Sequence, residues 1–151
     1  MRLANRLLHR CTPPEKFVTL FLAVLDPSDG SLTFANAGHN PPLLVGAGEE
    51  CARLSTKGIV LGLLDDFAFA QDRAIIREGG VLVIFSDGVS EALDATDGEF
   101  GEERLIDIVR EQRAAPADAI QYAILEAVRR HVGTTPQSDD ITLVVVKRRS
   151  A

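Results

Sequence analysis

The sequence predicts an α+β fold, in which antiparallel strands and helices occupy separate stretches of the chain. Several short strand-like segments follow one another through tight turns, and tight turns between successive strands require antiparallel pairing. Two segments with helical spacing come next along the chain, and they are followed by a last strand-like segment. At 151 residues the chain is most simply one domain, spanning 1–151.

The first predicted elements are a helix and a hairpin. Leucines at helical spacing predict a helix over residues 1–11. FVTLFLAVLD, at 17–26, is apolar at both alternating sets of positions, so we expect a strand that is covered on both faces. The turn sequence PSDGS, at 27–31, leads into a second strand over 31–38. This pair is the clearest hairpin in the sequence.

Short strands fill the middle of the chain. HNPPLLVG, at 39–46, predicts a corner and a short strand, with which CARL, at 51–54, is expected to pair. The alternating segment FAFAQDRAII, at 67–76, predicts another strand, and VLVIFSD, at 81–87, predicts a buried one.

Two helices and a strand complete the prediction. Apolar residues at helical spacing between 105 and 109, and again between 120 and 128, predict the helices. Pro116 and Asp118 are favoured near the start of a helix and mark the beginning of the second one. ITLVVVKR, at 141–148, predicts the last strand.

The composition predicts a cytoplasmic protein without a nucleic-acid or membrane partner. The net charge of −6 argues against general binding to nucleic acid, and the three basic residues at 147–149 are expected to form a solvated tail. Two distant cysteines suit a reducing cytosol. The longest apolar run, 17–25, is too short to span a bilayer.

Three aspartates stand apart from the ordinary surface charges. Asp87 lies where a buried strand ends, and Asp139 and Asp140 lie where the last strand begins. If these strands are antiparallel neighbours, the three carboxylates meet at one rim of the sheet. Clustered carboxylates raise one another's pKa or share a cation, and oxygen ligands suit Mg²⁺ or Mn²⁺. Gly88 would leave room for backbone carbonyls and water beside such an ion.

A purely structural role for these aspartates is the competing interpretation. An Asp-Gly pair after a strand is common turn chemistry, and Asp139 or Asp140 would equally serve to cap a turn. Spacing alone leaves both interpretations open.

Other polar residues are expected to be structural. Asp29–Gly30 and Asp97–Gly98 are interpreted as turns. His39 is expected to brace its corner rather than to ligate or catalyse, and His9 and His131 have no obvious partner.

Several segments together resemble a known family. They are residues 17–45, GIVLGLL at 58–64, VLVIFSDGVSEALD at 81–94 followed by GEFG at 98–101, and SDDITLVVV at 138–146. Each motif is weak alone, but their order and spacing are similar to those of the metal-dependent protein phosphatases of the PPM (type 2C) class, specifically the bacterial SpoIIE/RsbU-like branch.

This resemblance implies an antiparallel β-sandwich flanked by helices, with two Mn²⁺ or Mg²⁺ ions at one end. It implies hydrolysis of phosphoserine or phosphothreonine in a phosphorylated protein, typically an anti-sigma-factor antagonist, by a metal-activated water and no protein nucleophile. Asp87 of the SDG motif and Asp139 of the DDIT motif match the family's metal ligands. Asp140 takes the second role if the match slips by one residue.

One family motif has no counterpart in this sequence. The family opens with a strand carrying an Asp-Gly pair, whose aspartate bridges both metal ions, and this chain begins after that position. We therefore expect an N-terminally incomplete domain that lacks its opening strands, binds metal weakly and turns over little substrate. The lost strands would leave a sheet edge unpaired, through which a homodimer is expected to form.

Two other functions compete with this one. The chain would serve as a non-catalytic interaction module or an inactive fragment if the site is incomplete. A haloacid-dehalogenase-type phosphatase is set aside, because Phe85 occupies the position of that family's nucleophilic aspartate.

Overall fold

In a computed structural model of the protein, residues 1–48 and 50–149 are described. This part of the chain forms four helices and seven strands. In chain order they are α1 (Arg2–Cys11), β1 (Leu20–Leu25), β2 (Ser31–Ala37), β3 (Leu43–Val45), β4 (Cys51–Arg53), β5 (Asp72–Ile75), β6 (Val81–Phe85), α2 (Asp87–Ser90), α3 (Glu102–Glu111), α4 (Ala117–Val132) and β7 (Leu143–Lys147). All strand pairs are antiparallel, which confirms the predicted α+β class.

The chain divides into two compact units, of which the first comprises residues 1–41 and 54–75. Its sheet has the order β1-β2-β5. The predicted hairpin is confirmed, since Leu25 pairs with Leu32 beside the turn. Gly30 adopts a φ of 77° in that turn, and the Asp29 carboxylate accepts a hydrogen bond from the backbone N–H of Ser31 at 2.7 Å.

The prediction that the first strand is covered on both faces is wrong. Leu22 is 47% exposed and Val24 is 71% exposed, and both point to the same side of β1. The physical reason is that burial of a strand face depends on what packs over it, and the face of β1 that carries these two side chains is open to solvent. Among the described residues, β1 is also an edge strand, paired with β2 alone. Self-association through this edge stays a prediction.

The strand predicted over 67–76 is confirmed only in part, since β5 covers Asp72–Ile75 alone.

Helix α1 confirms the predicted first helix, but its polar side is the one that packs. Asn5 is 1% exposed. Its amide nitrogen donates to the carbonyl oxygens of Leu64 at 2.7 Å and Asp65 at 3.1 Å, and its amide oxygen accepts from the N–H of Gly62 at 2.9 Å. Leu3, by contrast, is 72% exposed. The leucine periodicity therefore predicts the helix correctly without marking its buried side.

The second unit comprises residues 42–53 and 76–151, of which the structure describes all but three. Its sheet has the order β4-β3-β6-β7, and the predicted pairing of residues 51–54 with the preceding short strand is confirmed. Side chains from β6, α3 and α4 share one hydrophobic core, whose largest members include Phe85, Leu105, Ile120 and Ile124. Among the described residues, none of the helices combines the length and the apolar character that a membrane span requires.

The expected solvated tail at residues 147–149 is wrong for its first two members. Lys147 ends β7, and its ammonium group donates to the carbonyl oxygens of Arg113 and Ala115, both at 2.5 Å. The backbone N–H of Arg148 donates to the carbonyl oxygen of Gly80 at 3.1 Å. The hydrogen bonding between β6 and β7 thus continues one residue past the end of β7, so Lys147 and Arg148 are part of the folded structure.

Candidate metal centre

The candidate site begins where the chain leaves the core at the end of β6. Phe85 is fully buried, and Ser86, in an extended conformation, precedes the single turn of α2. Asp87 is the first residue of this turn and is exposed to solvent. The apolar run therefore stops where the strand reaches the rim of the sheet.

Ser86 connects this rim to the segment before β7. Its backbone N–H donates to the carbonyl oxygen of Thr142 at 3.0 Å, which extends the β6–β7 ladder by one step. Its hydroxyl donates to the carbonyl oxygen of Asp140 at 2.9 Å and accepts from the N–H of Thr142 at 2.9 Å. Ser86 is therefore bonded to Asp140 and to Thr142, and it holds the end of β6 against the segment that carries Asp139 and Asp140.

Gly88 packs closely against the Asp139–Asp140 backbone. A Cβ atom at this position would lie 2.5 Å from the carbonyl oxygen of Asp140 and 3.2 Å from that of Asp139. Both neighbours of Asp87 in the chain, Ser86 and Gly88, therefore touch the Asp139–Asp140 backbone. Antiparallel pairing of β6 with β7 is what brings these distant parts of the sequence together, with Phe85 opposite Leu143.

The carboxylates themselves are exposed and make local hydrogen bonds. One oxygen of Asp87 accepts from the N–H of Gly88 at 3.0 Å, and one oxygen of Asp139 accepts from the N–H of Asp140 at 2.7 Å. Asp140 is bound through its backbone, and its side chain is exposed. Each of these bonds reaches only the next residue, whereas an aspartate that caps a turn accepts from the N–H two residues on.

The donor types at this rim suit a hard divalent ion, but the carboxylates do not gather into a full cluster. Within residues 1–48 and 50–149, no three or more His, Cys, Asp or Glu side chains are arranged to hold a metal ion. Mg²⁺ in particular is often held by one or two carboxylates and completes its shell with water and phosphate oxygens. Two aspartates on this rim fit a partial ligand set of that kind.

Asp94, in the loop after α2, is a structural aspartate. One of its oxygens accepts from the hydroxyl of Thr96 at 2.8 Å, from the N–H of Thr96 at 2.8 Å and from the N–H of Gly98 at 3.0 Å. These bonds, with that of the Thr96 hydroxyl the largest, lower the pKa of Asp94 to about 2 from its ordinary 3.8. The turn predicted at Asp97–Gly98 is confirmed, since Asp97 has a φ of 61°.

The expectation that His131 and His9 have no partner is wrong. One ring nitrogen of His131 lies 2.9 Å from the carbonyl oxygen of Gly98, and the other lies 3.1 Å from the guanidinium of Arg104. A ring nitrogen of His9 lies 2.8 Å from the carbonyl oxygen of Gly62. The partners of both histidines are more than 25 positions away in the chain, so no local pattern reveals them.

The corner at His39 is braced through its backbone. The side-chain amide of Asn36 accepts from the N–H of His39 at 2.8 Å and donates to its carbonyl oxygen at 2.9 Å. Asn36 is buried, and sequence reasoning did not single it out.

A cavity of about 420 Å³ opens beside the rim. Gly88 forms part of its wall, together with apolar side chains that include Leu93, Val132 and Ile141 and polar residues that include Gln137 and Ser138. The amide of Gln137 donates to the carbonyl oxygen of Asp139 at 2.6 Å. The cavity and the candidate ligands thus share one loop.

A protein-family model and a curated protein match nearly the whole chain. The family model, described as "Stage II sporulation protein E (SpoIIE)", matches residues 1–149. The phosphoserine phosphatase RsbU of Bacillus subtilis is 28% identical over 147 residues, which cover 96% of this chain and 43% of RsbU. The chain thus spans less than half the length of this relative.

Solved structures show the same fold. The RsbU and RsbW domains of Rv1364c from Mycobacterium tuberculosis superpose with a TM-score of 0.77 at 27% identity, over 95% of this chain and 40% of that one. The phosphatase domain of SpoIIE from Bacillus subtilis, in crystals presoaked with Mn, gives a TM-score of 0.67 at 22% identity, over 88% of this chain and 57% of that one.

Proposed function

The chain belongs to the SpoIIE family, and from this membership we propose that it is a metal-dependent phosphatase domain acting on phosphoserine or phosphothreonine in a protein. The observation that carries the proposal is the contact of Gly88 and Ser86 with the Asp139–Asp140 backbone, because it brings the two ligand-bearing segments to one rim. Two relatives support the same chemistry, since RsbU is a phosphoserine phosphatase and the SpoIIE phosphatase domain was crystallised and presoaked with Mn.

Asp87 and Asp139 would hold the ion, through the carboxylate oxygen that is not engaged with the neighbouring N–H. Asp140 would take the place of Asp139 if the register is shifted by one residue. A bound Mn²⁺ or Mg²⁺ supplies charge neutralisation for a phosphate group and lowers the pKa of a water molecule. Ser86 keeps the Asp139–Asp140 segment in position, and Gly88 lets the Asp140 backbone approach more closely than a side chain would allow.

The 420 Å³ cavity beside the rim would take the substrate segment that flanks the phosphorylated residue. Its mixed apolar and polar wall suits an extended peptide better than a bare phosphate. By resemblance to the SpoIIE/RsbU-like branch, the substrate protein would be an anti-sigma-factor antagonist in the cytoplasm.

A non-catalytic interaction module, or an inactive fragment, is the second candidate function. The observation in its favour is that no three metal-binding side chains converge in the part of the chain that the structure describes. A domain with two aspartates at the rim would bind metal weakly and hydrolyse phosphoesters slowly.

Calorimetric titration with Mn²⁺, together with hydrolysis of p-nitrophenyl phosphate and of a phosphoserine peptide, tests the proposal. We expect weak Mn²⁺ binding and slow Mn²⁺-dependent hydrolysis, with the affinity for Mn²⁺ reduced by about tenfold or more in Asp87→Asn and Asp139→Asn. Asparagine keeps the oxygen that accepts the local N–H, so these variants should fold.

Asp140→Asn is the matched control, one residue from Asp139, and should bind Mn²⁺ as the wild type does. If Asp140→Asn loses metal and Asp139→Asn does not, the ligand is Asp140 and the register is shifted. Absence of both Mn²⁺ binding and hydrolysis in the wild type would favour the interaction module.

A further inference from the structure

A cationic cavity lies at the opposite end of the β6–β7 pair from the candidate metal centre. Strand β6 runs from Val81 towards the rim, and β7 runs back from the rim to Lys147, so that Val81 pairs with Lys147 at the far end. The cavity there has a volume of about 840 Å³. Its wall includes Arg113, Pro116, Ala117, Asp118, Lys147 and Arg149.

The wall of this cavity carries a net positive charge, although the chain as a whole is negative. Arg113, Lys147 and Arg149 bring three positive charges, against one negative charge from Asp118. The whole chain has a formal charge of −6. An oxygen of Asp118 is already engaged, since it accepts the N–H of Ala119 at 2.9 Å. A concave surface lined by charges of one sign concentrates counter-ions.

Two of the three cations are held in place by the fold. The guanidinium of Arg113 donates to the carbonyl oxygen of Ala47 at 2.7 Å, and the ammonium of Lys147 donates to the carbonyl oxygens of Arg113 and Ala115. Both groups keep further N–H donors beyond these bonds. Because they are ordered before any ligand arrives, little conformational entropy is lost on binding.

Arg149 and the start of α4 complete the wall. Arg149 is exposed and makes no hydrogen bond or ion pair with another described residue, so its guanidinium has its full donor fork for a ligand. Pro116 and Ala117 place the first turn of the 16-residue helix α4 at the cavity. Its dipole adds positive potential to that of the side chains.

We propose that this cavity binds a small anion with two or more linked phosphate groups. Arginine forks and a helix start are the groups that hold phosphate oxygens. The three cations are spread over the wall of a cavity of about 840 Å³, so that different cations can contact different phosphate groups of one ligand. The cavity is concave, which suits a small molecule, and the negative charge of the chain argues against a nucleic acid. The site is separate from the carboxylate rim and independent of the proposed phosphatase function.

Calorimetric titration with inorganic pyrophosphate, in EDTA and in the Asp139→Asn background, tests this site. EDTA and the substitution remove any contribution from metal-bound phosphate at the rim. We expect saturable binding that Arg149→Gln and Arg113→Gln each weaken by about tenfold, because a hydrogen bond between charged groups is lost. The affinity should also fall as salt is added.

Arg130→Gln is the matched control for charge. Arg130 lies in the last turn of α4, about 20 Å along the helix from Ala117, and does not line the cavity. Pyrophosphate binding that survives in Arg130→Gln and weakens in Arg149→Gln supports the site. Equal weakening by both substitutions, or no binding at millimolar pyrophosphate, overturns it. Arg149→Gln decides the result if Arg113→Gln proves unstable, since Arg149 supports no other described residue.

Discussion

Gly88 packs so closely on Asp140 that a Cβ atom on the glycine would lie 2.5 Å from the Asp140 carbonyl oxygen. The carbonyl carbon would lie at 3.0 Å, and these are backbone atoms that a side-chain rotation cannot move away. The hydroxyl of Ser86 donates a hydrogen bond to the same carbonyl oxygen. The two segments of the candidate metal centre therefore meet at a contact that only glycine allows.

Gly88→Ala should separate these segments. We expect a loss of about 1–3 kcal/mol in the free energy of unfolding, the usual cost of forcing an extra methyl group into a packed site. Urea denaturation measures this loss. Mn²⁺ affinity should fall in parallel, since the Asp139 segment moves away from Asp87.

Gly48→Ala is the control for the loss of a glycine. A Cβ atom there would meet nothing within 4 Å, so the free energy of unfolding should stay within about 0.5 kcal/mol of the wild type. Equal stability of the two variants would contradict the close contact at Gly88.

Asp94 should make the stability of the protein depend on pH in the acid range. Its pKa is lowered to about 2 in the folded protein, from an ordinary 3.8, so folding favours the ionised carboxylate. The stabilisation is fully present above pH 3.8 and is lost as the pH falls through about 2. The difference in unfolding free energy between the wild type and Asp94→Asn should shrink over that range. Urea unfolding at a series of pH values measures it.

Thr96→Val tests whether the Thr96 hydroxyl is what lowers the pKa of Asp94. The Thr96 hydroxyl makes the largest contribution to the lowered pKa, so its removal should raise the pKa of Asp94 towards 3.8. NMR titration of the Asp94 carboxyl carbon reports this directly. A wild-type Asp94 that titrates near 3.8 would remove the basis of the prediction.

Asn5→Asp should destabilise α1 strongly. The substitution keeps the shape and the oxygen that accepts from Gly62, but it points a buried carboxylate oxygen at the carbonyl oxygens of Leu64 and Asp65. We expect a loss of about 2–3 kcal/mol, measured by urea denaturation with helix content followed by circular dichroism.

Asn40→Asp makes the same chemical change at a half-buried residue without such bonds. Its effect should stay within about 0.5 kcal/mol. Comparable effects at Asn5 and Asn40 would show that the hydrogen bonds of Asn5 contribute little to stability.

The elements that the sequence predicts well are those with strong local patterns. The hairpin from β1 to β2 depends on a turn sequence, and β6 on an unbroken apolar run, so neither needs distant information. Exposure of Val24 was not predictable in this way, because burial of a strand face depends on what packs over it. The same limit applies to Leu3, whose helical spacing is correct although its side of α1 is exposed.

The sequence indicates which residues are candidate ligands, but it does not indicate which residues hold the two candidate segments together. Asp87 and Asp139 are marked by the ends of apolar strands and by the family motifs. The role of Ser86 could not be predicted, because its bonds reach Asp140 and Thr142 more than 50 residues away. The cavity around Arg149 was missed for a similar reason, since its wall comes from three separate parts of the chain.

The pairing of β6 with β7 also sets an order of events during synthesis on the ribosome. Strand β6 emerges about 60 residues before its partner, which at about 5–20 residues per second is a delay of roughly 3–12 s. During that interval a strongly apolar strand has one open side, where a second nascent chain on the same message could dock. Translation speed between the two strands is therefore expected to influence how much of this protein reaches its native state, even when the amino-acid sequence is unchanged.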